Sequence, residues 1–220
     1  PHTRKKIHND IEHNMRLENV SMRIYDFEKV LIALSPSDEQ FIGMTLSEIA
    51  QLKQKSNIDM MLDLLISDNM STRCIYFHMS DKDVENIMKD NNVAIGSDGL
   101  YMGDKCNVNP HPRHYGAFSR VLGKYVRDKG VLSLTNAINK MTSLPAKILK
   151  LRRRGVLIRG NFADITIFDK NKIIDRSTFK KPFLKSDGVE FVIVNGIETF
   201  KKNNLTGNTS GLVLKRNFNE

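Results

Sequence analysis

Three short apolar runs do most to limit what this chain can become: Lys29-Val30-Leu31-Ile32-Ala33-Leu34, Cys74-Ile75-Tyr76-Phe77-His78-Met79 and Val93-Ala94-Ile95. They show little of the apolar–polar alternation that a strand with one wet face requires, so each is predicted as a buried strand. Helical patterns lie between them. Thr45 stands three residues before Glu48, the spacing of a capping box, and Leu46, Ile49, Ala50 and Leu52 follow. A second helix is predicted over 57–67, with Met60, Met61, Leu64 and Leu65 turned inward as core residues. Ser80, with Asp83 three residues on, is placed to cap a third helix carrying Val84, Ile87 and Met88. Strand, helix, strand without alternation is the pattern of an α/β fold with a parallel sheet covered by helices, and polar residues just past the strand ends mark its catalytic edge.

The remainder has a different rhythm. A charged amphipathic helix is predicted over 3–18, and a long irregular connection over 100–116. Helices follow over 117–128 and 134–151, the latter broken at Pro145. After Gly155 come short strands at Val156-Leu157-Ile158, Ile165–Phe168, Phe191–Val194 and Leu212-Val213-Leu214, and Asn195-Gly196 is a strong hairpin turn. The predicted division is therefore 1–154 for the α/β part and 155–220 for a small β part. So few strands make a poor independent core, which implies that strands from elsewhere complete the sheet.

The net charge of +9 suggests nucleic acid until its distribution is considered. Residues 1–139 carry 17 Lys and Arg against 18 Asp and Glu, while residues 140–220 carry 17 against 7. The densest cluster, Lys150, Arg152, Arg153 and Arg154, sits at a predicted helix end, where cations suit the terminal carbonyls. There is no aromatic-interleaved basic strand and no recognition-helix pattern, so a nucleic-acid partner is not expected. No run of about 18 apolar residues is present to span a bilayer. Cys74 and Cys106 lack CxxC spacing, which leaves a reducing, cytoplasmic setting as the expectation. The chain opens on Pro1 directly before a helical pattern, as though entered partway through a fold.

Chemistry concentrates at Gly96-Ser97-Asp98-Gly99, directly after the third apolar run. Asp98 reads as a turn residue, or as a carboxylate that flanking glycines leave open to a bulky neighbour such as a metal ion. His8, His13, His78, His111 and His114 show neither H-x-H nor H-E-x-x-H spacing, so the residues alone do not define a self-contained metal site.

The string Tyr76-Phe-His-Met-Ser-Asp-Lys-Asp-Val, then Ile95-Gly-Ser-Asp-Gly-Leu100, then His111-Pro-Arg-His-Tyr-Gly-Ala-Phe-Ser-Arg-Val-Leu-Gly123 resembles the C-terminal portion of the D-aminoacylases, or N-acyl-D-amino-acid deacylases, of the amidohydrolase superfamily. The likeness continues in order through Lys140-Met-Thr-Ser-Leu-Pro-Ala146, Arg154-Gly-Val-Leu-Ile-Arg-Gly160, Phe162-Ala-Asp-Ile-Thr-Ile-Phe-Asp169 and Val192-Ile-Val-Asn-Gly196. It implies the C-terminal part of a (β/α)8 TIM-type barrel followed by the last strands of a small β-sandwich. It implies hydrolysis of N-acyl-D-amino acids with one or two zinc ions, whose histidine-rich ligands belong to an N-terminal half absent from this sequence. Carried over onto matching positions, Asp98 is the general acid/base and a possible metal ligand, Arg113 recognises the substrate carboxylate, and Tyr76 and Met79 line the pocket. Activity is then expected only with that half, in the same chain or as a partner. A non-catalytic scaffold with a basic, anion-binding C-terminal part is the alternative from a different class.

Overall fold

The computed structural model describes residues 2–15, 26–100 and 108–214. The predicted connection at 101–107, including Cys106, and the end of the first predicted helix at 16–18 fall outside them. The chain divides into two compact units, one formed by residues 1–79 and 102–111, the other by 80–101 and 112–220.

In the first unit, α1 (His2–Met15) is tied to α3 (Asn57–Ser67) by Arg4, whose guanidinium reaches the carboxylates of Asp59 and Asp63. The predicted capping box is present at α2 (Leu46–Leu52): Thr45 Oγ1 accepts from the Glu48 N–H at 3.2 Å and Glu48 Oε2 accepts from the Thr45 N–H at 2.7 Å. Met60 and Leu64, one turn apart on α3, join Phe27, Val30, Ile32, Phe41, Leu46 and Ile49 in the core. The strands β1 (Val30–Leu34) and β2 (Arg73–Tyr76) pair antiparallel, Val30 opposite Tyr76 and Ile32 opposite Cys74. This corrects the parallel sheet expected from sequence. Between β1 and β2 lie two helices, α2 and α3, where a parallel pair is ordinarily joined by one crossover helix.

A buried carboxylate closes this unit. Asp68 accepts from the Ser37 N–H at 2.8 Å, Thr72 Oγ1 at 2.6 Å and Ser35 Oγ at 3.2 Å. Burial pushes its carboxyl up, but these hydrogen bonds outweigh it and hold Asp68 below the ordinary aspartate range.

In the second unit, Ser80 caps α4 (Asp81–Lys89) through the Asp83 N–H. The helix predicted over 117–128 starts earlier, as α5 (Arg113–Arg120), and continues as a π-helix over Val121–Asp128. The predicted break at Pro145 lies instead at Thr142, between α6 (Leu134–Met141) and α7 (Ser143–Ile148). Pro145 is third in α7, where a backbone N–H has no intrahelical partner to lose. Val121, Leu122, Tyr125, Leu132, Ala137, Met88 and Ile173 form the core.

The sheet β3 (Ile165–Phe168), β4 (Val189–Val194), β5 (Ile197–Lys201) and β6 (Asn204–Leu205) is antiparallel in that order. Asn195 and Gly196 turn β4 into β5 with φ of 50° and 83°, the left-handed pair that suits a tight hairpin. Three expected strands are absent. Val93-Ala94-Ile95 is irregular because its polar backbone is taken up by α6 rather than by a neighbouring strand. Val156–Ile158 and Leu212–Leu214 also lie outside strands and are exposed, Leu157 at 80% and Val213 at 89%, since nothing among the described residues pairs with them as a strand.

The basic cluster is partly internal wiring. The Arg154 side chain, only 11% exposed, pairs with Asp164, donates to Asn195 Oδ1 at 2.7 Å and lies 4.2 Å from the centre of the Phe162 ring. Arg153 donates to Gly160 O. Two of the four cations are thus engaged within the chain.

Candidate active site

Asp98 adopts φ 47°, a left-handed conformation that aspartate tolerates better than most side chains but that the surroundings must hold. They hold it from both sides. Upstream, the Ile95 N–H donates to Lys140 O at 2.9 Å. Downstream, His114 Nδ1 lies 2.9 Å from the Leu100 N–H and 2.7 Å from Leu100 O. Gly99 allows the segment to lie against α5, because a Cβ there would stand 3.2 Å from His114 Cα and 3.3 Å from Arg113 O. A Cβ at Gly96 would meet nothing within 4 Å.

The carboxylate itself meets Arg113: Asp98 Oδ2 and Arg113 Nη2 are 2.9 Å apart, with side chains 83% and 42% exposed. Arg113 opens α5, and a carboxylate beside a helix N-terminus is favoured by the helix dipole. The seat of that helix end is built from the β part of the same unit. Ser177 Oγ donates to Pro112 O at 3.0 Å, Ser186 Oγ donates to Tyr115 O at 3.2 Å, and Arg120 pairs with the buried Asp175 at 2.9 Å. Gly116 makes the seat possible, since a Cβ there would come within 2.7 Å of both Asp175 Cβ and Ser177 Oγ.

Tyr76 and Met79 belong to the first unit. Tyr76 ends β2 and stacks on His78, ring centres 5.6 Å apart, and burial followed by the neighbouring Cys74 pushes its phenol up. Met79 is 74% exposed. The structure thus brings Asp98 and Arg113 together, with Tyr76 and Met79 on a separate unit.

Sequence reasoning missed the roles of Lys140, His114 and Ser177. Lys140 and His114 stand inside the family-like strings, yet nothing in spacing marks a lysine as wholly buried or a histidine as a backbone clamp. No group of three or more His, Cys, Asp and Glu side chains among the described residues is arranged to hold a metal ion. These residues alone therefore do not fit a zinc centre. The chemistry they do support is proton transfer by an accessible carboxylate beside a cation shaped for a second carboxylate.

Residues 19–200 match the amidohydrolase family. A D-aminoacylase of Alcaligenes xylosoxydans xylosoxydans is 38% identical over 174 residues, which are 79% of this chain and 34% of that protein. An N-acyl-D-glutamate deacylase of the same organism is 44% identical over 126 residues, 57% of this chain and 25% of that protein. Among solved structures, an N-acyl-D-glutamate deacylase from Bordetella bronchiseptica, complexed with zinc and a phosphonate inhibitor that mimics the tetrahedral intermediate, is similar with a TM-score of 0.72 at 33% identity. That likeness covers 83% of this chain and 36% of the other. The chain spans about a third or less of the curated relatives it matches. Its fold is that of part of an amidohydrolase of the TIM-barrel superfamily, with antiparallel sheets in the portion described. With the match running through Asp98, Arg113 and the β3–β5 sheet, the chain belongs to the amidohydrolase family.

Proposed function

We propose that this chain is the C-terminal portion of a hydrolase that cleaves the amide bond of N-acyl-D-amino acids, releasing a carboxylate and a free D-amino acid. The observation that carries the reading is the contact between Asp98 and Arg113 on a segment anchored at both ends. Asp98 accepts a proton from the attacking water and returns it to the departing nitrogen, the two-step role of a general acid/base. Arg113 binds the substrate's α-carboxylate with its planar fork, and the family resemblance is what assigns Tyr76 and Met79 to substrate contact. The relatives named for D-amino-acid substrates support the stereochemistry.

In this reading residues 1–154 belong to the barrel and 155–220 to the β-sandwich. One or two zinc ions serve the complete enzyme, with ligands from an N-terminal half and Asp98 as the possible contribution of this chain, which alone would not retain them. Metal use is supported by the zinc-bound relative. The exposed apolar runs Val156–Ile158 and Leu212–Leu214 support the need for that half, whether in one chain or as a partner. We place the enzyme in the cytoplasm. No helix among the described residues is long and apolar enough to cross a membrane.

The test is complementation. The chain is co-expressed with an N-terminal half from a D-aminoacylase, supplied with zinc, and assayed for free amino acid released from N-acetyl-D- and N-acetyl-L-amino acids. Release from the D series by the pair, and none by this chain alone, is expected. A folded, zinc-loaded pair that releases neither, or that prefers the L series, overturns the proposal.

A further inference from the structure

We infer that Lys140 is a positioning residue that sets where Asp98 stands. Its side chain has no exposure to solvent, although lysine is among the residues most rarely buried. An ammonium taken out of water is strongly disfavoured unless its protons are met by acceptors. Here they are met by main-chain carbonyls: Lys140 Nζ donates to Asp90 O and, at 2.9 Å, to Val93 O. The Lys140 carbonyl in turn accepts from the Ile95 N–H at 2.9 Å. One residue of α6 therefore holds three points of the stretch 90–95.

That stretch is where a strand was expected and none forms, so no ladder of strand hydrogen bonds fixes it. Lys140 takes the ladder's place. Asp90 also caps the end of α4, where a cation suits the terminal carbonyls. Asp98 follows Ile95 by three residues, and the far side of its turn is clamped at Leu100 by His114. A left-handed, exposed aspartate persists only where its flanks are over-determined. Lys140 supplies the upstream flank and His114 the downstream one. A methionine would fill the same volume without bringing a charge inside, so the ammonium's contribution is its donors and not its bulk.

The functional meaning of this role rests on Asp98 being the proton carrier, but the positioning is readable without activity. The 220-residue chain, Lys140→Met and Lys140→Arg are compared by amide hydrogen exchange. In Lys140→Met, exchange at Ile95, Gly99 and Leu100 is expected to quicken at least about tenfold, while Ala137 on the same helix and Val192 in β4 stay as they were, and Lys140→Arg restores part of the protection. Unchanged exchange at Ile95 to Leu100, or equal quickening at Ala137 and Val192, overturns the inference by making Lys140 a filler of the core. Should Lys140→Met not fold, the unaltered chain decides: a slowly exchanging Lys140 ammonium signal coupled to the Val93 carbonyl supports the role, and a fast-exchanging, surface-like signal overturns it. In the complemented enzyme, a positioning role lowers kcat with KM retained. A hydrolase that fails the D-amino-acid assay while the exchange result stands refutes the reaction and leaves the positioning intact.

Discussion

Asp98 Oδ2 and Arg113 Nη2 lie 2.9 Å apart in a setting open to water on both sides. Ion pairs this exposed are worth about 0–1 kcal/mol, because water screens them and two side chains must be ordered to form them. The contact therefore aligns the two groups without locking them. On the proposed reading, a substrate carboxylate that offers Arg113 a two-pronged partner would compete with the single oxygen of Asp98 and leave that carboxylate open to the amide.

Removing the Asp98 carboxylate should separate chemistry from folding. In the complemented enzyme, Asp98→Asn is expected to lower kcat by about 10²–10⁴-fold, the span typical of a lost general acid/base. Because the side chain is 83% exposed, the thermal midpoint should stay within about 1 °C of the unaltered protein, as surface substitutions do. Steady-state kinetics with thermal melts on the same samples checks both. Near-normal kcat would remove Asp98 from the reaction.

Arg113 is tested by keeping its charge and removing its shape. Lysine presents one compact charge where the guanidinium presents a flat fork, so Arg113→Lys should raise KM for N-acetyl-D-amino acids roughly tenfold to a hundredfold with a smaller change in kcat. The matching substrate with its α-carboxylate converted to an amide already lacks the partner and should be almost indifferent to the change. An equal KM change for both substrates would assign Arg113 to loop structure alone.

Asp68 makes the stability of the first unit depend on pH. Its folded carboxyl sits below the ordinary value of 3.8, so as pH falls the unfolded chain takes up the proton before the folded chain does. The stabilisation is complete well above that value and drains away as pH passes down through it toward the lower folded one. Urea titrations from pH 7 to pH 3 should show this loss, and Asp68→Ala should remove about 2–4 kcal/mol at pH 7 while flattening the slope. A variant with an unaltered acid limb would assign the acid sensitivity to other carboxylates.

What the sequence disclosed was what neighbours along the chain decide. Thr45 with Glu48, Ser80 with Asp83, and Asn195 with Gly196 each act within a few residues, and each does in the structure what its spacing predicts. The resemblance points to Asp98 and Arg113, two residues that are in contact in the structure. The antiparallel sense of β1 and β2 was not legible, because it depends on how many helices lie between two apolar runs and which way each one packs. Val93–Ile95 has the composition of a strand, but a strand also needs a neighbour, and Lys140 takes up the Val93 carbonyl and the Ile95 N–H instead. Burial of Lys140 is likewise a tertiary fact with no local signature.

Gly116 offers the sharpest test of how the β part of the second unit supports Arg113. A glycine inside a helix is ordinarily a weakness, and alanine there is favoured by about 0.5–1 kcal/mol. At this position the added Cβ would stand 2.7 Å from Asp175 Cβ and 2.7 Å from Ser177 Oγ, and Asp175 Cβ sits too close to its own backbone to swing aside. The helix start must move, and with it the Ser177 bond to Pro112 O, one residue before Arg113. Gly116→Ala should therefore destabilise the unit by about 1–3 kcal/mol, the usual result of overpacking, instead of gaining the helix propensity. Gly96→Ala, with nothing within 4 Å of its Cβ, should stay within about 0.5 kcal/mol. Denaturant titration of the two variants side by side makes the comparison, and a Gly116→Ala protein as stable as the Gly96→Ala one would show that α5 does not rest on Asp175 and Ser177.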